Sequence, residues 1–287
     1  MLSSLGRPNA LHSVWAARVS KAADGRNPKG VKAMHIHTRS ERESTSSTSS
    51  TSSTAHPLMH RIHVAIGLET PSPPSYPSPC CSATAQESGE HLDRETLLQF
   101  EQIIPVLRKT IGSKRFFHSH GAMHYAVALA DRHGEDLVRA ATAGLLHDCG
   151  RLPEIEQVEA EARRRGLDVP AEDRPYAKVW HAWLSTHIAE HDFGIADPSV
   201  LQAILHHPTG EAEMSRLDKV IFLADYLEPT RRFEELKQLR ELAQQDLDSA
   251  YQRALETKIR YIQSRGRPLH PRSLRALASV GISLAGA

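Results

Sequence analysis

Apolar residues recur at helical spacing along the chain from about residue 97 onwards. The first such run ends at Gly112 and consists of Leu97, Phe100, Ile103, Ile104 and Leu107. Similar patterns predict further helices at 115–132, 135–148, 154–165, 180–191, 217–227, 233–243 and 247–264, and Pro198 fits the first turn of another. We find no alternating run that predicts a strand and no internal repeat. The pattern therefore predicts one all-α domain of roughly 190 residues, which is large enough to bury a substantial core.

Residues 1–92 have a different composition, which predicts a disordered segment. Ser44–Thr54 contains only serine and threonine, and Pro71–Pro79 alternates proline with serine and tyrosine. Such stretches bury too little apolar surface to offset the entropy that ordering costs. We therefore expect a chain that begins near Glu90 to fold and to be active.

The first 40 residues are basic and contain a single acidic residue, Asp24. A start that is rich in arginine and serine and poor in acids is typical of an organellar transit peptide. The alternatives are an ordinary disordered tail or an upstream start codon chosen in error. The sequence thus predicts a cytoplasmic protein, or an organellar one if the segment is a transit peptide.

Charge and cysteine content exclude several classes of protein. The net charge of +1 gives no general attraction to nucleic acid. No apolar run approaches the ~20 residues that span a membrane, so we expect no membrane partner. The three cysteines are the adjacent Cys80 and Cys81 and the distant Cys149, which form neither a disulfide framework nor a zinc-finger spacing. This usage favours a reducing compartment.

A histidine and an aspartate, His147 and Asp148, end the apolar run at 140–146, and Gly150 follows as the predicted terminator of that helix. A charged carboxylate at the edge of an apolar helix is costly unless it is paired or binds a metal. Imidazole and carboxylate together suit first-row divalent metals. The pair alone is weak evidence, because many such pairs are ordinary surface residues.

Further candidate ligands lie along the same helical region. Asp225 is the sharpest, because it interrupts the apolar stretch 220–227 and needs either a metal or an arginine partner there. The other candidates are histidines near predicted helix ends, where a hydrogen-bonded structural histidine is the commoner case: His118, His181, His206 and His207. Taken together, the mixed nitrogen and oxygen ligands suffice for two metal ions that share a carboxylate.

The order His118, His147-Asp148, Asp225 resembles that of the HD-domain phosphohydrolases, and the added His181 and His207 resemble their di-metal branch. Two longer strings are similar to the YqeK-type HD hydrolases, which cleave diadenosine tetraphosphate symmetrically into two ADP. They are Ala-Asp-Tyr-Leu-Glu-Pro at 224–229 and Arg-Pro-Leu-His-Pro-Arg at 267–272. The resemblance extends over roughly residues 97–278.

The resemblance implies a single HD-domain helical bundle over residues 93–287 and hydrolysis by water activated at a di-metal centre. It implies two divalent metal ions, iron first, with manganese or another first-row metal as alternatives. The implied metal ligands are His118, His147, Asp148, His181, His207 and Asp225. The implied catalytic residues are His147, Asp148 and Arg151. The implied substrate contacts are Arg115, Arg231, Arg267, Pro268, His270, Arg272 and Ser273. A homodimer is possible.

The chain departs from the family pattern at four positions near these residues. Arg151 replaces a usual lysine, Trp183 and Ser185 stand where the family tends to have proline and glycine, and Pro208 replaces a usual threonine. The departures leave the ligand set intact and affect the substrate pocket. Two alternatives therefore stay open, an HD phosphohydrolase of another nucleotide, such as a mononucleotide or signalling nucleotide, and a non-catalytic nucleotide-binding HD module.

The segment 267–273 also has two interpretations. On the resemblance, it would hold one half of the substrate, with His270 and Arg272 near the phosphates. Alternatively it is a structural turn, in which Pro268 and Pro271 simply stop the preceding helix.

Overall fold

The structure, a computed structural model, describes residues 94–282 together with Met59 and Ile62. All of these residues belong to one compact unit. Met59 and Ile62 are buried, with 1% and 0% of their surface exposed. This differs from the expectation that every residue of 1–92 lies outside the folded unit, because these two apolar side chains are part of the core. The serine-threonine run, the proline-rich run and the basic start lie outside the described residues.

Residues 94–282 contain nine α-helices and no strand, which confirms the predicted all-α class. A 3-10 turn at Ala177–Val179 leads into the fourth helix. The helices are α1 (Arg94–His133), α2 (Leu137–Leu146), α3 (Ile155–Arg164), α4 (Trp180–His191), α5 (Pro198–His206), α6 (Arg216–Leu227), α7 (Leu236–Gln245), α8 (Leu247–Ser264) and α9 (Pro271–Ser279).

The first helix, α1, is broken at Gly112, where two separate helices were predicted to meet. Gly112 has φ 76° and ψ 160°, a conformation that side-chain-bearing residues rarely adopt. The break separates a first part that carries Phe100 and Leu107 into the core from a second part that carries the candidate site residues.

The prediction that the helices end at residue 264 is wrong, because α9 follows. Pro271 is the first residue of α9, and His270 caps the helix by accepting a hydrogen bond from the backbone N–H of Arg272 at Nδ1 (3.1 Å). Proline breaks a helix in its interior but is favourable at the first position, where the missing N–H has no partner to lose. The segment is therefore more than a turn that stops α8.

The core is centred on α6, which packs against α1, α2, α5 and α8. Its side chains from Val220 to Ala224 are all completely buried. Small residues allow close packing elsewhere in the core. A Cβ added to Gly144 of α2 would lie 2.9 Å from the Met123 Cα of α1. Among the described residues, no helix has the length and apolar character that a membrane crossing requires.

Candidate metal centre

The structure brings all six predicted metal-ligating side chains together, although they come from five different helices or helix ends. Each of them lies in the second part of α1, in the first turn of α4, near the end of α6, or directly after α2 or α5. They are His118, His147, Asp148, His181, His207 and Asp225. His206, the neighbouring candidate, has a different surrounding, because its Nδ1 lies 3.4 Å from Asp218 Oδ1.

One group of ligand atoms surrounds the Nε2 atom of His118. This nitrogen lies 3.1 Å from His147 Nε2 and 3.1 Å from Asp225 Oδ1. Asp148 Oδ2 approaches the same nitrogen at 3.7 Å. Two imidazoles and two carboxylates thus converge on one point.

A second group of ligand atoms lies on the other side of Asp148. Asp148 Oδ1 is 3.3 Å from His181 Nε2 and 3.7 Å from His207 Nε2, and these two nitrogens are 3.1 Å apart. The two oxygens of one carboxylate therefore face two different groups of histidines. This is the arrangement that two cations sharing a bridging carboxylate require.

Hydrogen bonds from Nδ1 fix the orientation of three of the histidine rings. Each ring donates to the backbone carbonyl three residues earlier, so the proton of the neutral ring is on Nδ1 and the lone pair is on Nε2. The bonds join His147 to Gly144 (2.8 Å), His181 to Lys178 (2.7 Å) and His207 to Ile204 (2.7 Å). All three lone pairs point into the cluster.

The fourth ring, His118, is oriented by a side chain instead. Its Nδ1 lies 3.0 Å from Oε1 of Glu228, a fully buried carboxylate that also accepts from the Thr230 backbone N–H at 2.6 Å. Burial opposes the charged form of His118, but the hydrogen bonds to Asp225 and Glu228 outweigh it and raise the pKa of His118 to about 9. The surroundings of this ring therefore favour a positive charge beside Nε2. A metal ion bound at Nε2 would supply that charge instead of a proton.

The unsatisfied atoms of the cluster fit a metal. Two nitrogen lone pairs 3.1 Å apart, as in His181 and His207, repel each other unless a cation or proton lies between them. Protons are disfavoured there, because burial lowers the pKa of His181 to about 4 and that of His207 well below its usual value. Asp148 Oδ1 is buried and accepts no hydrogen bond within residues 94–282. A divalent cation would satisfy all of these atoms.

Three arginines surround the two carboxylates. Arg115 Nη1 and Arg151 Nη1 lie 3.4 Å and 3.2 Å from Asp148 Oδ2. Arg231 donates from Nε to the backbone carbonyl of Asp225 at 2.9 Å and pairs with its carboxylate through Nη2. Asp225 thus has the arginine partner that was the alternative to metal binding, and it also faces His118. The arginine side chains are 27%, 45% and 39% exposed, so they form the solvent side of the cluster.

The predicted substrate segment 267–273 divides into an exposed and a buried part. Arg267 and Pro268 are exposed. His270, Arg272 and Ser273 are buried and have partners within the protein. Ser273 Oγ, for example, donates to the Thr209 carbonyl at 2.8 Å.

The partner of His270 and Arg272 is Asp173, a fully buried residue that the sequence did not single out. His270 Nε2 lies 2.8 Å from Asp173 Oδ1, and Arg272 donates to Oδ2. Trp183 Nε1 also donates to Oδ2, at 2.6 Å. We call these four residues the Asp173 cluster. It joins the loop before α4 to α4 itself and to the start of α9, so Trp183 has a structural role at a position where proline is usual in the family.

Glu172, Asp173 and His270 also have the spacing of a metal site. Arginines occupy their carboxylates, however, because Arg272 pairs with Asp173 and Arg275 pairs with Glu172 at 2.7 Å. These positive side chains already neutralise the site.

Sequence reasoning missed Glu228 and Asp173 for different reasons. Glu228 lies within the string Ala-Asp-Tyr-Leu-Glu-Pro, which was used as a resemblance without a role for its glutamate. Asp173 has no local signal, because His270 and Arg272 are almost one hundred positions away in the sequence.

Comparisons with known proteins identify relatives of this chain. Residues 115–230 match the HD domain family. The chain is 28% identical over 171 residues to the symmetrical bis(5'-nucleosyl)-tetraphosphatase of Bacillus subtilis, covering 60% of this chain and 91% of that protein. It is 30% identical over 173 residues to the protein of the same name from Halalkalibacterium halodurans, with the same coverage of 60% and 91%.

A solved structure shows the same fold. It is the crystal structure of a predicted HD superfamily hydrolase involved in NAD metabolism from Clostridium acetobutylicum, which is 34% identical. It superposes with a TM-score of 0.60 over 63% of this chain and 96% of that chain. The HD match and these relatives show that the chain belongs to the YqeK-type HD-domain hydrolases.

Proposed function

We propose that this hydrolase cleaves dinucleoside polyphosphates and converts diadenosine tetraphosphate symmetrically into two ADP. The observation that carries the proposal is the pair of ligand groups that share Asp148, with arginines on their solvent side. Two relatives at 28% and 30% identity are named for this activity. A polyphosphate carries several negative charges, and such a site offers positive charge at several adjacent points.

In this proposal, the cluster holds two divalent metal ions, iron first, with manganese or another first-row metal as alternatives. His118, His147 and Asp225 would hold one ion, His181 and His207 the other, and Asp148 would bridge both. Bound there, the two ions would supply Lewis-acid activation of water and neutralise charge on the attacked phosphoryl group. Two observations support this assignment. The Nε2 lone pairs of His147, His181 and His207 point into the cluster, and Asp148 Oδ1 accepts no hydrogen bond within residues 94–282.

The arginines would act on the substrate. Arg115, Arg151 and Arg231 lie where phosphate oxygens would enter, and a guanidinium can bind two such oxygens at once. We assign Arg151 to the attacked phosphate, where it would stabilise developing charge, and the other two to binding and orientation.

The C-terminal segment would contribute in two ways. Arg267 and Pro268 are exposed and would contact the substrate directly. His270, Arg272 and Ser273 would hold that part of the pocket in place through Asp173 and Thr209. A homodimer and a cytoplasmic location remain predictions.

The decisive experiment is a nucleotide panel with separated products, run on purified protein whose metal content has been measured. ADP as the sole product of diadenosine tetraphosphate, with one labelled product from isotopically labelled water, is the expected result. ATP plus AMP would exclude symmetrical cleavage. Turnover of mononucleotides alone would favour the second hydrolase interpretation, and nucleotide binding without any turnover would favour a non-catalytic module.

A further inference from the structure

Lys258 lies on α8, and the proposed function gives it no role. Its Nζ lies 4.6 Å from the ring centroid of Phe222 and 6.0 Å from that of Tyr226. Both rings belong to α6, and positions 222, 225 and 226 lie on one face of that helix. The ammonium therefore lies on the face of α6 that carries Asp225.

The charges that act on Lys258 are those of the candidate metal centre. Its electrostatic neighbours are the carboxylates of Asp225 and Asp148 and the guanidinium groups of Arg231 and Arg151. Burial lowers the pKa of Lys258 to about 8, although the two carboxylates oppose this shift. The residue as a whole is partly exposed, although burial of the ammonium dominates the shift of its pKa.

What distinguishes Lys258 from the three arginines is the lack of a fixed anion. Arg115, Arg151 and Arg231 each pair with Asp148 or Asp225. Within residues 94–282, Lys258 makes no ion pair within 4 Å and no hydrogen bond, and its ammonium faces two aromatic rings. A cation that is partly removed from water without an anionic partner is costly, whereas a rotatable ammonium is well suited to a phosphate that arrives from solution.

We infer that Lys258 is an additional phosphate-binding residue, which contacts a phosphate of the nucleotide beyond the one that the arginines hold. This inference deepens the proposed function and rests on it for the substrate class. The ring of Tyr226 packs against that of Phe233, with 5.0 Å between the centroids, so one of the two rings that face the lysine is itself held by packing.

The test compares ADP binding by calorimetry in three variants of the metal-containing protein. Lys258→Met keeps the aliphatic stem and the packing on Phe222 but removes the charge, and we expect its ADP affinity to fall about tenfold or more. Lys258→Arg should stay close to the unmodified protein. The matched control is Lys219→Met, because Lys219 also faces an aromatic ring, that of Tyr251 at 6.0 Å, but is neutralised by Asp248 at 2.7 Å.

Metal content and thermal unfolding should be unchanged in Lys258→Met, and Lys258→Gln serves as a second neutral variant if the first does not fold. Unchanged ADP affinity in the neutral variant would overturn the inference. So would an equal loss in Lys219→Met, a loss of metal, or failure of the unmodified protein to bind ADP. The proposed function is tested separately, by identifying the products of diadenosine tetraphosphate hydrolysis. If that substrate is not cleaved while ADP binding depends on Lys258, the proposed reaction fails and the lysine assignment stands.

Discussion

Asp225 lies on an otherwise apolar helix and faces two kinds of positive group, the His118 ring and the Arg231 guanidinium. Burial disfavours its charged form, but the hydrogen bond from His118 and the charge of Arg231 outweigh burial and hold the pKa of Asp225 well below its usual range. The carboxylate is therefore ionised at neutral pH, as a metal ligand must be.

We predict that Asp225→Ala loses bound metal without gross unfolding. The loss of affinity should exceed the roughly 10- to 100-fold that removal of an outer partner of a metal ligand causes. Metal analysis after dialysis measures this, together with circular dichroism. The matched control is Asp218→Asn, a second buried carboxylate on α6 that caps the helix with Ser215. It should cost about 1 kcal/mol of stability and keep the metal. Full metal occupancy in Asp225→Ala would show that the ligand assignment is wrong.

Glu228 is the partner that orients His118, and its charge should matter as well as its shape. We predict that Glu228→Gln, which keeps the volume and an acceptor oxygen, lowers metal affinity about tenfold because the ring loses a carboxylate partner. Competition with a chelator of known affinity measures the change. Glu172→Gln, which neutralises the surface partner of Arg275, should leave metal affinity as it was. Equal affinities in the two variants would contradict the role of Glu228.

At the scale of elements, periodicity predicted most of the helices but not all of them. The helices predicted at 180–191 and 247–264 agree with α4 and α8 to the residue. The start of α7 was predicted three residues early, at 233 instead of Leu236. The missing α9 shows the physical limit of the pattern. A proline both ends and begins helices, and only the cap from His270 distinguishes the two cases.

The turn after α2 depends on close contact with α4. A Cβ at Gly150 would lie 2.5 Å from the Ser185 backbone nitrogen and 2.7 Å from the Leu184 carbonyl carbon, while the Gly150 N–H donates to Ser185 Oγ at 2.9 Å. Ser185, which stands where glycine is usual in the family, thus has a defined role here.

We predict that Gly150→Ala forces the turn away from α4, costs about 1 to 3 kcal/mol and lowers metal affinity, since Asp148 lies two residues away. Urea unfolding and metal analysis measure both effects. Gly166→Ala is the control. Gly166 has φ 70° but no atom within 4 Å of an added Cβ, so only backbone strain of about 1 kcal/mol is expected, with metal binding unchanged. An unaffected Gly150→Ala would mean that the turn has room to move.

The Asp173 cluster ties α9 to α4 through a fully buried carboxylate. We predict that Asp173→Asn destabilises the protein by about 1.5 to 3 kcal/mol, because Arg272 would lose its nearest, fully buried anion and keep only Glu172 and Glu211, both at 3.7 Å. Urea unfolding provides the measurement. Asp168→Asn, whose carboxylate is 91% exposed and pairs with Arg174, should cost less than about 1 kcal/mol. Similar values for the two variants would contradict a central role for the cluster.

At the scale of the whole molecule, the boundary of the folded unit near residue 92 stays a prediction, and two buried side chains before it bear on that boundary. The composition of residues 1–92 predicted a segment without a core, but two apolar side chains within it, Met59 and Ile62, are buried. Compositional bias averages over a window and cannot resolve two such positions among polar neighbours.

We therefore predict that a chain beginning at residue 90 is less stable than one beginning at residue 56, by about 2 kcal/mol or more, because it lacks both buried side chains. Thermal and urea unfolding of the two truncated chains measure the difference. Met59→Ala and Ile62→Ala in the full chain should reproduce part of it. Equal stability of the two truncated chains would return the boundary to residue 92.

The candidate site was predictable as a set of residue types, but its geometry was not. Order and local strings pointed to six ligands, which the fold then brings together from positions 118 to 225. The division of the Asp148 oxygens between two groups depends on how five helices pack, which no local pattern encodes. The same holds for Lys258, which has no anionic partner within 4 Å among residues 94–282 although it lies on the face of α6 that carries Asp225.

The hydrogen bonds that orient the histidine rings determine which substitutions nearby would disturb the site. His147, His181 and His207 are each held by a main-chain carbonyl within their own turn, and no substitution of a neighbouring side chain removes a carbonyl. The orientation of three of the four rings therefore does not depend on the identity of the neighbouring side chains. His118 is the exception, because a glutamate 110 positions away aims it. Evolution at position 228 is thus constrained by a ring on another helix, and a lineage that lost this carboxylate would have to place another acceptor beside α1.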